Sequence, residues 1–385
     1  MISTGLAALA LALWVYLAFG RAFYWRARER LGNPSPPTAW PEVVAVIPAR
    51  NEGESIGVVI AAHMASDYPG RFSIVLVDDG SDDDTAALAR EAANASSRRL
   101  EIIEGAPLAP GWTGKLWAMQ QGIERARVAA PEARYLLLTD ADIVHAPSTL
   151  RRLVAKAEND DLALASLMAR LDARGVWGSL LIPAFIYFFQ QLYPFPLANN
   201  AKSRTAAAAG GCMLVKVDAL EAVGGVAAIR GEIIDDCALA ALLKSAGAPR
   251  RIWIGLAQTE VVSLRDNRRL SSIWDMVART AYVQLRRSPV LLAAVIFGMG
   301  VLYLSPPALV FALPLHRNVA AFALAAMAYG LMAASYRPTL RLYGEPAWRA
   351  ALLPLAGFFY ALMTFSSAFR HWRGAGGRWK GRSYA

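Results

Sequence analysis

The chain is predicted to be an α/β protein, a mostly parallel sheet with helices on both faces, held at a membrane by apolar helices at both ends. Three observations predict this. Strand-like and helix-like segments alternate from residue 42 to residue 159, which implies parallel crossovers. The chain is 56% hydrophobic and only 18% charged, and the apolar excess is gathered at the two ends. Acidic residues stand where strands are expected to stop, and open α/β sheets bind ligands there.

The alternation begins after a proline-rich linker, Asn33-Pro34-Ser35-Pro36-Pro37. Glu42–Ile47 reads as a strand, followed by Pro48-Ala49-Arg50-Asn51-Glu52 and a helix over Glu54–Ala65. Asn51 or Glu52 suits a helix start as well as a ligand site. Phe72–Val77 reads as a second strand ending in Asp78-Asp79-Gly80-Ser81. A carboxylate there can accept hydrogen bonds from a base or a ribose, and the same residues make good turn chemistry. A helix over Asp84–Ala95 and a strand over Leu100–Ile103 follow. Pro110-Gly111-Trp112-Thr113-Gly114-Lys115 then opens a helix to Val128, and a helix N-terminus with one lysine suits a diphosphate. The fourth strand, Tyr135–Thr139, ends in Asp140-Ala141-Asp142. Two carboxylates there make a hard-oxygen site for Mg²⁺ or Mn²⁺, completed by a substrate's phosphates. A helix over Ser148–Asn159 closes the alternation.

Further along, Gly210-Gly211 and Gly224-Gly225 mark close backbone turns, either around an acceptor or for packing. Glu232, Asp235 and Asp236 precede a helical pattern. One of them can be a general base whose pKa is raised by its acidic neighbours, or they cap the helix. Arg279 lies on an amphipathic stretch, where it either meets a diphosphate or sits at a membrane surface. The four histidines have no catalytic neighbours in sequence. Cys212 and Cys237 belong to no CxxC or Cys/His cluster, which excludes a disulfide framework and a structural zinc of common spacing.

Residues 1–22 are expected to anchor the chain. Gly5–Phe19 is apolar, and Arg21, Arg26, Arg28 and Arg30 come after it rather than before it. No small-residue cleavage site follows, so an anchor is favoured over a signal peptide. The positive-inside rule then places residues 40–285 in the cytoplasm. Three apolar stretches, Pro289–Leu315, Val319–Tyr336 and Trp348–Phe369, make 286–370 a membrane region, and a basic tail over 371–385 is expected in the cytoplasm. Residues 177–196 are apolar and aromatic, but Pro183 and Pro194 argue against a full span. An amphipathic helix at the membrane surface is expected, a buried helix being the alternative. The net charge of +10 suits basic flanks on anionic lipid. No basic and aromatic motif marks a nucleic-acid partner.

Val46–Glu52, Val77–Ser81, Gly114-Lys115, Thr139–Asp142, Gly210-Gly211 and Asp235-Asp236, in this order, resemble glycosyltransferase family 2, which has the nucleotide-sugar-binding, Rossmann-like GT-A fold. More narrowly, Leu181–Phe185, Leu192–Phe195, Ala206–Cys212, Ile234–Leu239 and Arg279–Tyr282 resemble the bacterial hopene-associated glycosyltransferases, and Trp379–Tyr384 is similar to the tails of membrane enzymes acting on terpenoid lipids. The resemblance implies roles. Pro48, Glu52 and Asp79 would hold the nucleoside, and Lys115 would approach the diphosphate. Asp140 and Asp142 would bind ribose and the divalent metal, Asp142 more directly. Asp236 would be the catalytic base, and Asp235, Gly210 and Gly211 would border the acceptor. Arg279 stands where many relatives carry an Arg-Trp pair, although Thr280 follows it here.

The implied protein is an inverting transferase at the bacterial inner membrane, moving a sugar from a nucleotide-sugar donor to a lipid acceptor. A hopanoid is the favoured acceptor. Polyprenyl phosphate, a carotenoid acid or a sphingolipid-like alcohol is the alternative, and Arg204 and Arg230 leave room for an acidic one. A non-catalytic scaffold of a lipid-synthesis complex and a secreted sugar-binding module are the rival classes.

Overall fold

A computed structural model describes residues 1–94, 96–246, 251–374, 376, 378–379 and 382–383. Lys380 and Tyr384 of the expected basic tail lie outside the described residues.

A seven-stranded sheet forms the centre, in the order β3-β2-β1-β4-β7-β6-β8. Its strands are β1 (Val43–Ala49), β2 (Phe72–Asp78), β3 (Arg99–Glu104), β4 (Tyr135–Leu138), β6 (Leu162–Met168), β7 (Met213–Lys216) and β8 (Arg251–Leu256). A separate ribbon pairs β5 (Ile143–His145) with β9 (Val261–Ser263). The four predicted strands are present and parallel, with ends shifted by at most two residues. Every residue of β1 is buried, as a strand covered on both faces requires. Side chains alternate between the faces. Val43, Ala45 and Ile47 join one core, while Val44 and Val46 join the other.

The sheet is not parallel throughout. β7 runs antiparallel to both β4 and β6. Its N-terminal end therefore lies beside the carboxyl ends of its neighbours, so Gly210-Gly211 reaches the edge where Asp140 and Asp142 emerge.

Pro48 shows how that edge opens. The Val46 carbonyl accepts from Thr139 N–H, so even-numbered residues of β1 face β4. The ladder with β4 ends at Val46↔Leu138. Pro48 lies past it, and its missing N–H forfeits no ladder bond.

Helix α1 (Ile2–Val15) continues as a π-helical turn to Gly20. Helices α2 (Ile56–Met64), α3 (Thr85–Ala93), α4 (Gly114–Ala129) and α5 (Thr149–Asn159) cover the two faces of the sheet. Gly122 lets α4 approach closely, since a Cβ there would sit 2.5 Å from Val46 Cγ1. Helix α6 (Gly175–Leu192) leads to the short helices α7 (Phe195–Ala198) and α8 (Val217–Glu221). Then come α9 (Asp235–Ser245), α10 (Leu270–Gln284), α11 (Pro289–Met299), α12 (Ser305–Phe311), α13 (Leu313–His316), α14 (Val319–Tyr343) and α15 (Leu353–Trp372).

Five segments are long and apolar enough to cross a membrane, judged by length and composition: Ile2–Gly20, Gly175–Leu192, Pro289–Phe311, Val319–Tyr343 and Ala347–Trp372. Helix α6 holds them together. Tyr187 Oη lies 3.1 Å from Tyr24 Oη and 2.7 Å from Ser335 Oγ, and Tyr360 Oη donates to the Leu181 carbonyl at 2.9 Å. Pro183 sits inside α6 without ending it. Among apolar neighbours a broken helix would strand its backbone polar groups, which favours keeping the helix.

Candidate active site

A cavity of about 680 Å³ opens at the carboxyl ends of β1 and β4. Five stretches of chain supply most of its wall. The end of β1 and the loop after it supply Pro48, Asn51, Glu52 and Ser55, and the turn after β4 supplies Asp140 and Asp142. The starts of α4 and α9 supply Lys115, Glu232 and Asp235. The β9–α10 segment supplies Arg265, Asp275 and Arg279.

The loops after β1 and β2 form one cross-linked unit. Asn51 is in the left-handed region at φ +51°, which asparagine tolerates. Its N–H donates to Ser81 Oγ at 3.0 Å, and its side-chain carbonyl accepts from Asp82 N–H at 2.8 Å. Glu52 N–H donates to Thr85 Oγ1 at 2.8 Å, and Gly53 N–H to Asp83 Oδ2 at 2.9 Å. Asp79 is buried within this unit beside Arg50, whose Nη1 lies 3.9 Å from its carboxylate. Of the donor-side residues predicted, Asp79 is the one off the cavity wall.

Lys115 lies between two acids, 2.8 Å from Asp140 and 3.0 Å from Asp235. Burial alone would lower its pKa, but Asp140 and Asp235 overrule burial and hold the ammonium above the ordinary lysine value. Asp142 is pushed up to about 6 by burial, then by Asp140 and Glu52, with Arg265 and Lys115 opposing. Asp236 is also pushed up to about 6, by burial and then by Asp235. Its Oδ2 accepts from Gly210 N–H at 2.9 Å and its Oδ1 from Cys237 N–H at 2.7 Å.

Asp235, rather than Asp236, reaches the cavity wall. Consecutive helix residues point about 100° apart, so one of the pair faces the cavity and the other turns inward. Gly210 is accounted for by close approach, since a Cβ there would lie 3.1 Å from Lys115 Nζ. At Gly211 it would meet Ile143 Cγ1 at 3.0 Å.

Arg279 faces the cavity, its pKa lowered by burial and then by Arg265, against the pull of Asp140, Asp235 and Asp142. Neither guanidinium forms an ion pair among the described residues. Arg265, Asp83 and Asp275 were not predicted as site residues. The run Arg265-Asp266-Asn267-Arg268-Arg269, a cluster of charges just before an amphipathic helix, is the signal that could have found the first of them. Arg204 and Arg230 are not on the wall.

No cluster of three or more His, Cys, Asp or Glu suited to a metal occurs among the described residues. Asp140 and Asp142 alone fit a hard cation that keeps positions open for phosphate oxygens. The raised Asp142 carboxyl fits too, because a cation beside it would favour the charged form.

A mostly parallel sheet bearing paired acids at its strand ends defines a GT-A α/β protein. Residues 41–274 match the family described as "Glycosyltransferase like family 2", and the chain belongs to that family. It is 33% identical over 139 residues to the "Dodecaprenyl-phosphate galacturonate synthase" of Rhizobium johnstonii, covering 35% of this chain and 38% of that protein. It is 32% identical over 143 residues to the "Polyprenol monophosphomannose synthase" of Mycolicibacterium smegmatis, covering 36% and 51%. The chain thus spans between a third and about half of the length of these curated relatives. The structure of a mannosyltransferase from Pyrobaculum calidifontis in complex with GDP-Man and Mn²⁺ superposes with a TM-score of 0.53 at 18% identity, covering 93% of this chain and 99% of that one.

Proposed function

We propose that this chain is a membrane-bound inverting glycosyltransferase that moves a sugar from a nucleoside-diphosphate sugar to a lipid phosphate of the polyprenyl class. The observation that carries the proposal is the pair Arg265 and Arg279, free of ion pairs, in the same cavity as Asp140, Asp142 and Asp235. A metal on Asp140 and Asp142 would serve the donor's diphosphate. Two further guanidiniums suit a second anion, and arginine recognises phosphate bidentately. The names of the two relatives above contain dodecaprenyl-phosphate and polyprenol monophosphomannose, which supports the same class. Helix α10, which bears Arg279, packs against α6 and α15, two of the segments apolar enough to cross a membrane, which supports an acceptor drawn from lipid.

The roles follow from position. A divalent metal, Mg²⁺ or Mn²⁺, would neutralise charge on the departing diphosphate. Glu52 and the loop around it hold the nucleoside side. Lys115 carries a positive charge to the diphosphate while Asp235 orients it. An acceptor oxygen attacks the sugar's C1 opposite the leaving group, the C1–O bond to the diphosphate breaks, and configuration inverts. A phosphate monoester has a second pKa of about 6. Asp236, whose carboxyl is pushed up to about 6, is the proposed base for the proton that remains on the acceptor, although it lies behind the wall residue Asp235.

A neutral hopanoid hydroxyl is the second reading, supported by the sequence blocks around Ile234–Leu239 and Arg279–Tyr282. It leaves Arg265 and Arg279 to the donor's diphosphate alone. The arginines after α1 support a catalytic domain facing the cytoplasm of a bacterial inner membrane.

The test uses full-length protein in detergent with Mn²⁺ or Mg²⁺ and a panel of UDP- and GDP-sugars. Release of nucleoside diphosphate should rise with polyprenyl phosphate for one donor, and mass spectrometry should find the sugar on that lipid. Stimulation by hopanoid alone would move the acceptor to a hydroxyl. Release indifferent to every lipid would sink the lipid reading.

A further inference from the structure

Beneath the cavity lies a line of buried polar groups that the proposed chemistry does not use. His145, the last residue of β5, and Thr139, the residue after β4, are both buried. Thr139 Oγ1 lies 2.8 Å from the Gly211 carbonyl oxygen and 3.1 Å from His145 Nε2. A hydroxyl has one proton to give, and a carbonyl only accepts. Thr139 therefore donates to Gly211 and accepts from His145, which requires the hydrogen on Nε2. Nδ1 is then the bare nitrogen, and it has no hydrogen-bond partner among the described residues.

The line continues into the site. Gly210, next to Gly211, donates its N–H to Asp236 Oδ2 at 2.9 Å. The β4–β7 ladder stops at Leu138↔Met213. Past that pair, Thr139 is the tie between the strand that delivers Asp140 and Asp142 and the turn that seats Asp236. Neither Thr139 nor His145 lies on the cavity wall.

We infer that Thr139, oriented by His145, is a positioning residue that fixes the metal-binding acids relative to Asp236. The inference rests on the transferase reading above. It makes the hydroxyl, rather than the bulk, of residue 139 the property that matters. A purely structural role predicts something else: lost stability, with normal turnover in whatever protein remains folded.

Four variants of the full-length protein separate these outcomes, assayed with the donor and lipid phosphate found for wild type. Thr139→Val and His145→Phe remove links, while Thr139→Ser keeps the hydroxyl and His145→Gln keeps an N–H near the place of Nε2. Losing a supporting hydrogen bond of this kind costs roughly 10- to 100-fold. Thr139→Val and His145→Phe should lose that much in kcat, with donor KM within about 3-fold, because ground-state binding is untouched. Thr139→Ser and His145→Gln should keep most of kcat. Wild-type kcat in Thr139→Val would overturn the inference. So would losses that follow only the folded fraction, measured by gel filtration and melting, in all four. If Thr139→Val does not fold, the contrast between His145→Phe and His145→Gln decides alone. A wild type that releases no nucleoside diphosphate from any donor would instead sink the transferase reading, and this inference with it.

Discussion

The two halves of the sheet are built by different means. In β3-β2-β1-β4 every strand joins a parallel neighbour, and β1, β2 and β3 each lead into a helix. That half presents Glu52, Asp140 and Asp142 from turns lying close to their own strands, and Lys115 from the start of α4. In β7-β6-β8 the directions mix, and the chain leaves for α6 before it returns at Gly210. That half, with α9 and α10, presents Asp235, Asp236 and Arg279. The donor side is thus a set of local units. The acceptor side exists only once distant segments, several of them apolar helices, have packed. Damage to one half should therefore read out on donor and metal, and damage to the other on acceptor and transfer.

The largest effects break the comparison at its centre. Asp142→Asn should cut metal-dependent release of nucleoside diphosphate roughly 10³-fold, since it removes charge stabilisation at the departing group. Chelating the metal should match it in wild type. Asp236→Asn should cut transfer severely while leaving donor binding intact. Calorimetric titration with the active donor would show the contrast, with binding weakened in Asp142→Asn and kept in Asp236→Asn. Equal loss of donor binding in both would mean that the two halves are not separate in function.

A smaller effect sharpens the acceptor side. Arg265→Gln and Arg279→Gln each remove a charged hydrogen-bond donor, worth about 1.5–3 kcal/mol against an anion. Each should raise KM for polyprenyl phosphate roughly 10- to 100-fold, with donor KM changed much less. If donor KM rises equally, the guanidiniums serve the donor's diphosphate, and a neutral acceptor regains ground.

The difference in construction also explains what the sequence showed. The end of each donor-side strand is a local signal, an apolar run followed by Pro48, Asp78-Asp79-Gly80 or Asp140-Ala141-Asp142, and those strands fall within two residues of expectation. On the other side β7 is four residues long, and its reversal depends on a path of some forty residues through α6, for which no local pattern exists. Asp235-Asp236 was legible as a pair. Which acid faces the cavity was not, because that depends on how α9 is rolled against β6 and β8. Arg265 went unnoticed because the charged run Arg265–Arg269 reads equally well as a solvated turn before an amphipathic helix. It enters the site because the β5–β9 ribbon, extended by the Leu264 N–H bond to the Asp142 carbonyl at 2.8 Å, sets it beside Asp142.

The pH dependence couples the halves. Asp142 and Asp236 both sit at about 6. The proposed mechanism needs both ionised, one to hold the metal and one to take a proton. kcat/KM reports the free enzyme, so it should fall below pH 6 by more than tenfold per unit. Raising the metal concentration stabilises the charged form of Asp142 and should move that part of the fall to lower pH. The part due to Asp236 should stay. A profile that shifts as a whole with metal would assign no titration to Asp236.

The smallest effect concerns what lies under the donor half. His63 on α2 and His145 on β5 stack with ring centroids 4.7 Å apart, both buried. Burial, and for His63 then the neighbouring His145, drives both pKa values below the ordinary 6.5, that of His145 to about 4. The folded state thus binds protons less readily than the unfolded chain. The stability tied to a neutral ring is complete above pH 6.5 and is lost as pH falls toward 4. For His145 the loss amounts to about 2 kcal/mol at pH 5. Glutamine does not titrate, so His145→Gln should melt near wild type at pH 8 but lose less on moving to pH 5. The gap in melting temperature should be roughly 2 to 4 °C for a chain of this size. Equal losses in both proteins would mean that acid attacks the molecule elsewhere, with the helical half the first place to look.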